Sequence, residues 1–241
     1  MSNRKSGLRG TLYMLLAACS SGALMAGVGG PASAATELGS GSTYVYRLVN
    51  GYNNEVRGQL RYFVEKVDPG SFTVSVVPDS SGAGVERLEI YTKEGNWLRR
   101  PLASHGQNVD YMFASAYPAY AFPLDPGKSW SVRVNATVAG VPGVRSVRVD
   151  GTVLGRERIR VPAGEFDTIK VRRVVFPGDA YYSLLETKIV EYDWYAPALG
   201  RTVRTDSKSE YVDTSRCSRG GSGGCLFRGD WDVFELVDAG K

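Results

Sequence analysis

GTVLGRERIRVPAGEFDTIKVRR (residues 151–173) is the stretch from which the fold follows. Ile159 and Val161 interleave with Arg156, Arg158 and Arg160, and beyond the turn Ile169 and Val171 interleave with Lys170 and Arg172. A period of two places alternate side chains on opposite faces of a strand. Both runs therefore carry one polar and one apolar face, and Pro162-Ala163-Gly164 supplies the turn between them. Strands of this kind form antiparallel sheets that curl around a single core.

Working outward, short Val/Tyr/Phe-rich runs separated by turn residues repeat along the chain, the spacing of an all-β domain. The strands read as 44–49, 56–67, 71–78, 85–92, 97–102, 129–138, 144–161, 167–176, 184–195, 201–212 and 230–237. Asp68-Pro69-Gly70 and Asp125-Pro126-Gly127 mark turns in which Pro presets φ and Gly accepts a positive φ. Residues 103–124, ASHGQNVDYMFASAYPAYAFPL, do not read as a strand; an aromatic-rich connection is expected there. The fold class is all-β, a single antiparallel curled sheet of ten or more strands, with barrel, half-barrel and sandwich all compatible.

The amino terminus is an export label. Arg4, Lys5 and Arg9 precede an apolar run that starts at Leu12. Leu16-Ala17-Ala18-Cys19 has the form of a lipobox, with small residues before a cysteine that would be lipidated. Ala32-Ser33-Ala34 equally has the small −3 and −1 residues of an ordinary signal-peptidase site. Two cuts are open, before Cys19 or after Ala34, and the polar Cys19-Ser20-Ser21-Gly22 break favours the first. Residues 1–34 are thus the export signal, 35–43 a flexible linker and 44–241 the β domain. The expected location is the periplasmic side of the cell envelope, as an outer-membrane lipoprotein or a soluble periplasmic or secreted protein. No apolar run after residue 35 approaches the ~18–20 residues of a membrane-spanning helix.

The formal net charge of +4 rests partly on the leader, so the mature chain is close to neutral and gives no electrostatic support for nucleic-acid binding. Cys217 and Cys225 flank SRGGSGG, a glycine-rich hairpin tip suited to a disulfide in an oxidising compartment. Closing so short a loop contributes roughly 2–3 kcal/mol on the chain-entropy argument. A metal site is disfavoured, because a tetrahedral site needs about four ligands and His105 is the sole histidine. No metal and no cofactor are expected.

Four patterns imitate catalytic motifs. Gly220-Gly221-Ser222-Gly223-Gly224 matches G-x-S-x-G but lies inside the cysteine loop, without the strand–turn–helix that exposes a nucleophile. Gly127-Lys128-Ser129 ends like a P-loop, yet Phe122 replaces the earlier glycine and a strand follows. Ser104 and His105 are adjacent, and on an extended chain would point to opposite sides. Glu186, Glu191 and Asp193 are close in sequence and read as solvated strand residues. No catalytic residue is assigned, and an enzyme is not expected.

Two features suit binding. The aromatics Tyr117, Tyr120, Phe122, Tyr181, Tyr182 and Trp194 would stack on a ligand or line an apolar pocket if exposed, and would close a barrel end if buried. The row Arg156, Arg158, Arg160 would meet an anionic ligand, headgroup or partner, or form a solvated sheet face beside Glu157 and Asp167.

GTVLGRERIRVPAGEFDTIKVRR, then YDWYAPALGRTVRT (192–205), with FPLDPGKSW (122–130) upstream, resemble an uncharacterised family of secreted bacterial proteins and lipoproteins. In these DUF3108-like proteins, VPAGxF and WYAPxxG segments recur in this order. The resemblance implies a curled antiparallel β domain at the cell envelope and brings no catalytic residue. The expected role is a non-catalytic binding or assembly module, reaching the membrane through a lipid anchor if Cys19 is modified, with an envelope protein as a candidate partner. The alternatives are a periplasmic carrier of a lipid or other apolar ligand and, from another class, an envelope carbohydrate-acting hydrolase.

Overall fold

The structure, a computed structural model, describes residues 39–79, 85–178, 186–213 and 225–240. The strands are β1 (Thr43–Asn50), β2 (Val56–Val67), β3 (Ser71–Pro78), β4 (Arg87–Thr92), β5 (Trp97–Ser104) and β6 (Gln107–Tyr117). They continue as β7 (Ser129–Val138), β8 (Val141–Val161), β9 (Gly164–Phe176), β10 (Thr187–Ala196), β11 (Arg201–Val212) and β12 (Leu226–Ala239). Each strand pairs with the next, and β12 returns to pair with β1 from Tyr44↔Ala239 to Asn50↔Asp232, closing the barrel. Closure leaves every strand among the described residues with a neighbour on each side.

The region 103–124 departs from the expectation. β6 crosses most of it, with Tyr111, Phe113 and Tyr117 inward and Met112 and Ala114 outward. His105 and Gly106 form a two-residue hairpin with φ of 50° and 75°, and Ser104 faces Gln107. Two successive positive φ values are the type I′ geometry that suits strand twist. Asn-Gly is the usual signal for that turn; His-Gly is not, which is why the hairpin was not legible. Only the second half of the region is a connection. It tucks into the barrel end, where Ala119, Tyr120 and Leu124 are buried.

The DPG turn before β7 forms as expected: Lys128 N–H donates to the Asp125 carbonyl and a strand follows, so Gly127-Lys128-Ser129 is a β-turn. The main core packs the inward faces of β5 to β10 around Val147, Val149, Val171 and Val175. The β8–β9 hairpin reaches across to β12, where Ala163 N–H donates to the Leu236 carbonyl. Val161 packs there with Trp194, Ala196 and Val203. Since successive strands alternate in direction, the β4–β5, β8–β9 and β10–β11 turns share one barrel end. Thr43 and Ala239, at the two ends of the barrel chain, lie at that same end.

Candidate ligand-binding site

The interior is built around a charge that alternation places inside. Arg173 continues the apolar face Ile169–Val171 of β9 and is fully buried. β10 brings Glu191 and Asp193 opposite it, on the face that begins with Ile189. Arg173 Nη2 lies 3.0 Å from Glu191 Oε2 and 2.7 Å from Asp193 Oδ2, and its Nη1 donates to the Ala119 carbonyl at 3.2 Å. Tyr120 and Thr205 hydroxyls donate to Asp193 at 2.7 and 2.8 Å. Burial alone would raise the Asp193 pKa, but Arg173 and these two hydroxyls outweigh it and hold the carboxyl below its ordinary value. Glu191 and Asp193 are therefore not the solvated residues their sequence suggested. A partnered cluster like this one fixes the barrel's interior, with both carboxylates engaged by Arg173.

β4 repeats the device. Its inward residues are Arg87, Glu89 and Tyr91; Arg87 Nε donates to Glu89 at 2.7 Å and the Tyr91 hydroxyl donates to the same carboxylate. Between the two clusters lies a cavity of about 110 Å³ that opens to solvent at its mouth, a space that suits part of a small ligand more than the whole of a large one. Its walls are Tyr46, Tyr62, Phe72, Tyr91, Trp97 and Tyr120, and it reaches the barrel end at Gly95 and Gly200, in the β4–β5 and β10–β11 turns. Burial pushes the Tyr62 and Tyr195 phenols up to about 12, so they remain neutral donors. Arg100 and Arg201 also line it. The Arg100 guanidinium stacks 3.8 Å above the Trp97 ring and that of Arg201 3.2 Å from the Tyr44 ring centre.

The structure disperses the aromatic candidates. Tyr120 lines the cavity. Tyr117 is wholly buried, stacked on Trp97 with ring centres 4.4 Å apart. Phe122 packs behind the cavity against Tyr120 and Tyr195. A bulge between Trp194 and Tyr195 turns Tyr195 to the cavity. Trp194 instead belongs to the cluster beneath the β8–β9 hairpin, its indole N–H donating to Glu157 and Lys170 Nζ lying 4.5 Å from its ring. Tyr181 and Tyr182 lie outside the described residues, as do Cys19, Cys217 and the Gly220–Gly224 motif.

In the basic row, Arg156 is exposed, Arg158 pairs with Asp167 at 2.8 Å and Arg160 with Glu165. That is a solvated face of paired charges. Ser104 Oγ does approach His105 Nδ1, at 3.3 Å, because the I′ turn replaces the extended geometry that would separate them. The residues that the sequence reading passed over are Arg100, Arg173, Arg201 and Glu89. The signal was available in Arg173, Glu191 and Asp193, each a charge on the apolar face of its strand.

The fold and the site define a closed, up-and-down β-barrel with a charged and aromatic interior. No family model matches the chain, and no curated protein does. A candidate exported protein with a YmcC-like fold from Bacteroides fragilis NCTC 9343 superposes with a TM-score of 0.50 at 14% identity, covering 86% of this chain and 99% of its own. A candidate lipoprotein from Parabacteroides distasonis ATCC 8503 gives 0.47 at 14%, covering 86% and 97%. The hypothetical lipoprotein YmcC from Escherichia coli (K12) gives 0.38 at 7%, covering 83% and 85%. The first of these shows that the fold occurs in nature outside this chain.

Proposed function

We propose that this protein is an exported, lipid-anchored binding module of the cell envelope, holding a small ligand in the end of its barrel without acting on it chemically. The observation that carries this reading is the aromatic-walled cavity between the β4–β5 and β10–β11 turns. Its phenols remain protonated and both interior carboxylates of β10 are engaged by Arg173. A site without an available base or nucleophile suits binding more than hydrolysis. Among the readings open from sequence, a ligand carrier is favoured over a purely structural assembly module, because the interior is left unfilled at one end. The basic leader, the lipobox at Cys19 and the Gly/Ser-rich linker support attachment to a membrane, and the VPAGxF and WYAPxxG segments support kinship with secreted β-domains.

Native mass spectrometry of protein isolated from its own envelope tests this. A bound small molecule that Trp97→Ala releases is the expected outcome; a clean protein mass, with no ligand taken up from an envelope extract, overturns the carrier reading.

A further inference from the structure

We infer that the ligand carries an anionic group, a carboxylate or a phosphate on an aromatic or apolar body, received by the Arg100 and Arg201 guanidiniums. This rests on the cavity being the binding site and names the chemistry that the site selects.

In the two clusters and the cavity wall, Arg87, Arg100, Arg173 and Arg201 stand against Glu89, Glu191 and Asp193, one positive charge in excess among the described residues. Glu191 and Asp193 are engaged by Arg173, and Glu89 by Arg87 and Tyr91. Arg100 and Arg201 have no ion-pair partner among the described residues, and Arg201 Nε and Nη1 are buried without an acceptor. Each guanidinium offers five N–H donors and no acceptor. Stacking satisfies only its face: Arg100 lies on Trp97 and Arg201 on Tyr44, with Tyr46 further off at 5.8 Å. On the in-plane edge of Arg201, Nε and Nη1 are left over. A fork held flat in this way matches the two oxygens of a carboxylate or phosphate, and stacking removes rotamer freedom that binding would otherwise cost. The charge on Arg100 persists although burial opposes it, because Glu191 and Glu89 sustain it. The walls that surround the forks, Phe72, Tyr62 and Tyr46, suit a flat or apolar body.

Isothermal titration with three probes on one ring system tests the inference: 2-naphthoate, 2-naphthyl phosphate and the uncharged 2-naphthamide. The expected result is binding of at least one anion ten-fold or more tighter than the amide. Arg100→Gln and Arg201→Gln, each checked for wild-type circular dichroism, should bring the anion to the affinity of the amide while leaving amide binding unchanged. Whichever anion binds tighter identifies the group. Equal binding of amide and anions by the wild-type protein overturns the anion inference and leaves the cavity reading standing, without recourse to any variant. No binding of any probe by folded protein counts against the cavity itself. Anion preference retained in both variants places the recognition elsewhere and overturns the assignment to these arginines.

Discussion

Arg173 decides what the barrel interior can be. A fully buried guanidinium is tolerable only with its charge and donors matched, and Glu191, Asp193 and the Ala119 carbonyl do so. Removing one member leaves an uncompensated buried charge, whereas replacing the set by apolar residues removes the problem with the pair. Arg173→Met should therefore cost about 3–5 kcal/mol in urea unfolding, and combining it with Glu191→Gln and Asp193→Asn should restore part of that loss. Asp193 also predicts an acid limb. Its folded pKa is depressed, so the stabilisation is present above its unfolded value near 4 and is lost as the pH falls through the folded one. Asp193→Asn should flatten that limb in melting curves taken below pH 4.

Asp232 acts in the opposite sense. Burial and the neighbouring Asp230 raise it to about 6 against the pull of Arg57. Its contribution is present below its unfolded value and is lost as the pH rises through about 6. Melting temperature in Asp232→Asn should hence fall less than in wild type between pH 4 and 7.

At the level of elements, cross-strand pairing explains several residues that look arbitrary in sequence. Trp130 of β7 pairs with Gly151 of β8, and a Cβ at Gly151 would lie 2.1 Å from the indole. The ring occupies the space that a side chain would take, and its N–H donates to the Pro118 carbonyl, pinning the connection that enters the barrel end. Gly151→Ala should lower stability by about 1–3 kcal/mol, read by denaturant midpoint. Gly106→Ala combines a φ of +75° with a 3.2 Å approach to Tyr211 and should cost about 1 kcal/mol. At the preceding position His105→Asn should be neutral or stabilising, because Asn tolerates the left-handed region better. These strands were largely readable: β2, β3, β7 and β11 have the bounds that alternation and turn residues give. β6 was not, since its hairpin uses an unusual dipeptide and its aromatics resembled a loop cluster.

For the whole molecule, closure between β1 and β12 joins the first and last strands, and it sets both ends of the barrel chain beside the cavity. A chain tethered through Cys19 would enter at that end. Cys19→Ala should shift the protein from the membrane to the soluble fraction; a mature mass beginning at Ala35 without lipid would instead identify the signal-peptidase cut. At the opposite end, Asp213 N–H donates to the Cys225 carbonyl at the base of the β11–β12 connection, and Cys217 lies outside the described residues. The proposed Cys217–Cys225 bridge predicts a two-dalton mass gain on reduction and a melting temperature lowered by reductant.

Sequence alone determined the antiparallel strands and their two faces, because period-two alternation and turn chemistry are local properties of the chain. The same alternation sets Arg173, Glu191 and Asp193 in phase with apolar neighbours, a signal that reading Glu191 and Asp193 as solvated residues missed, and nothing local said that the three would meet. Only the tertiary structure decided that the sheet closes at β1–β12, which charges find partners across the barrel, and that Arg201 Nε and Nη1 find no acceptor. Those outcomes depend on contacts between strands far apart in the chain, where strand number, stagger and side-chain volume act together. The candidate site exists because closure gathers those distant residues around the cavity at one barrel end.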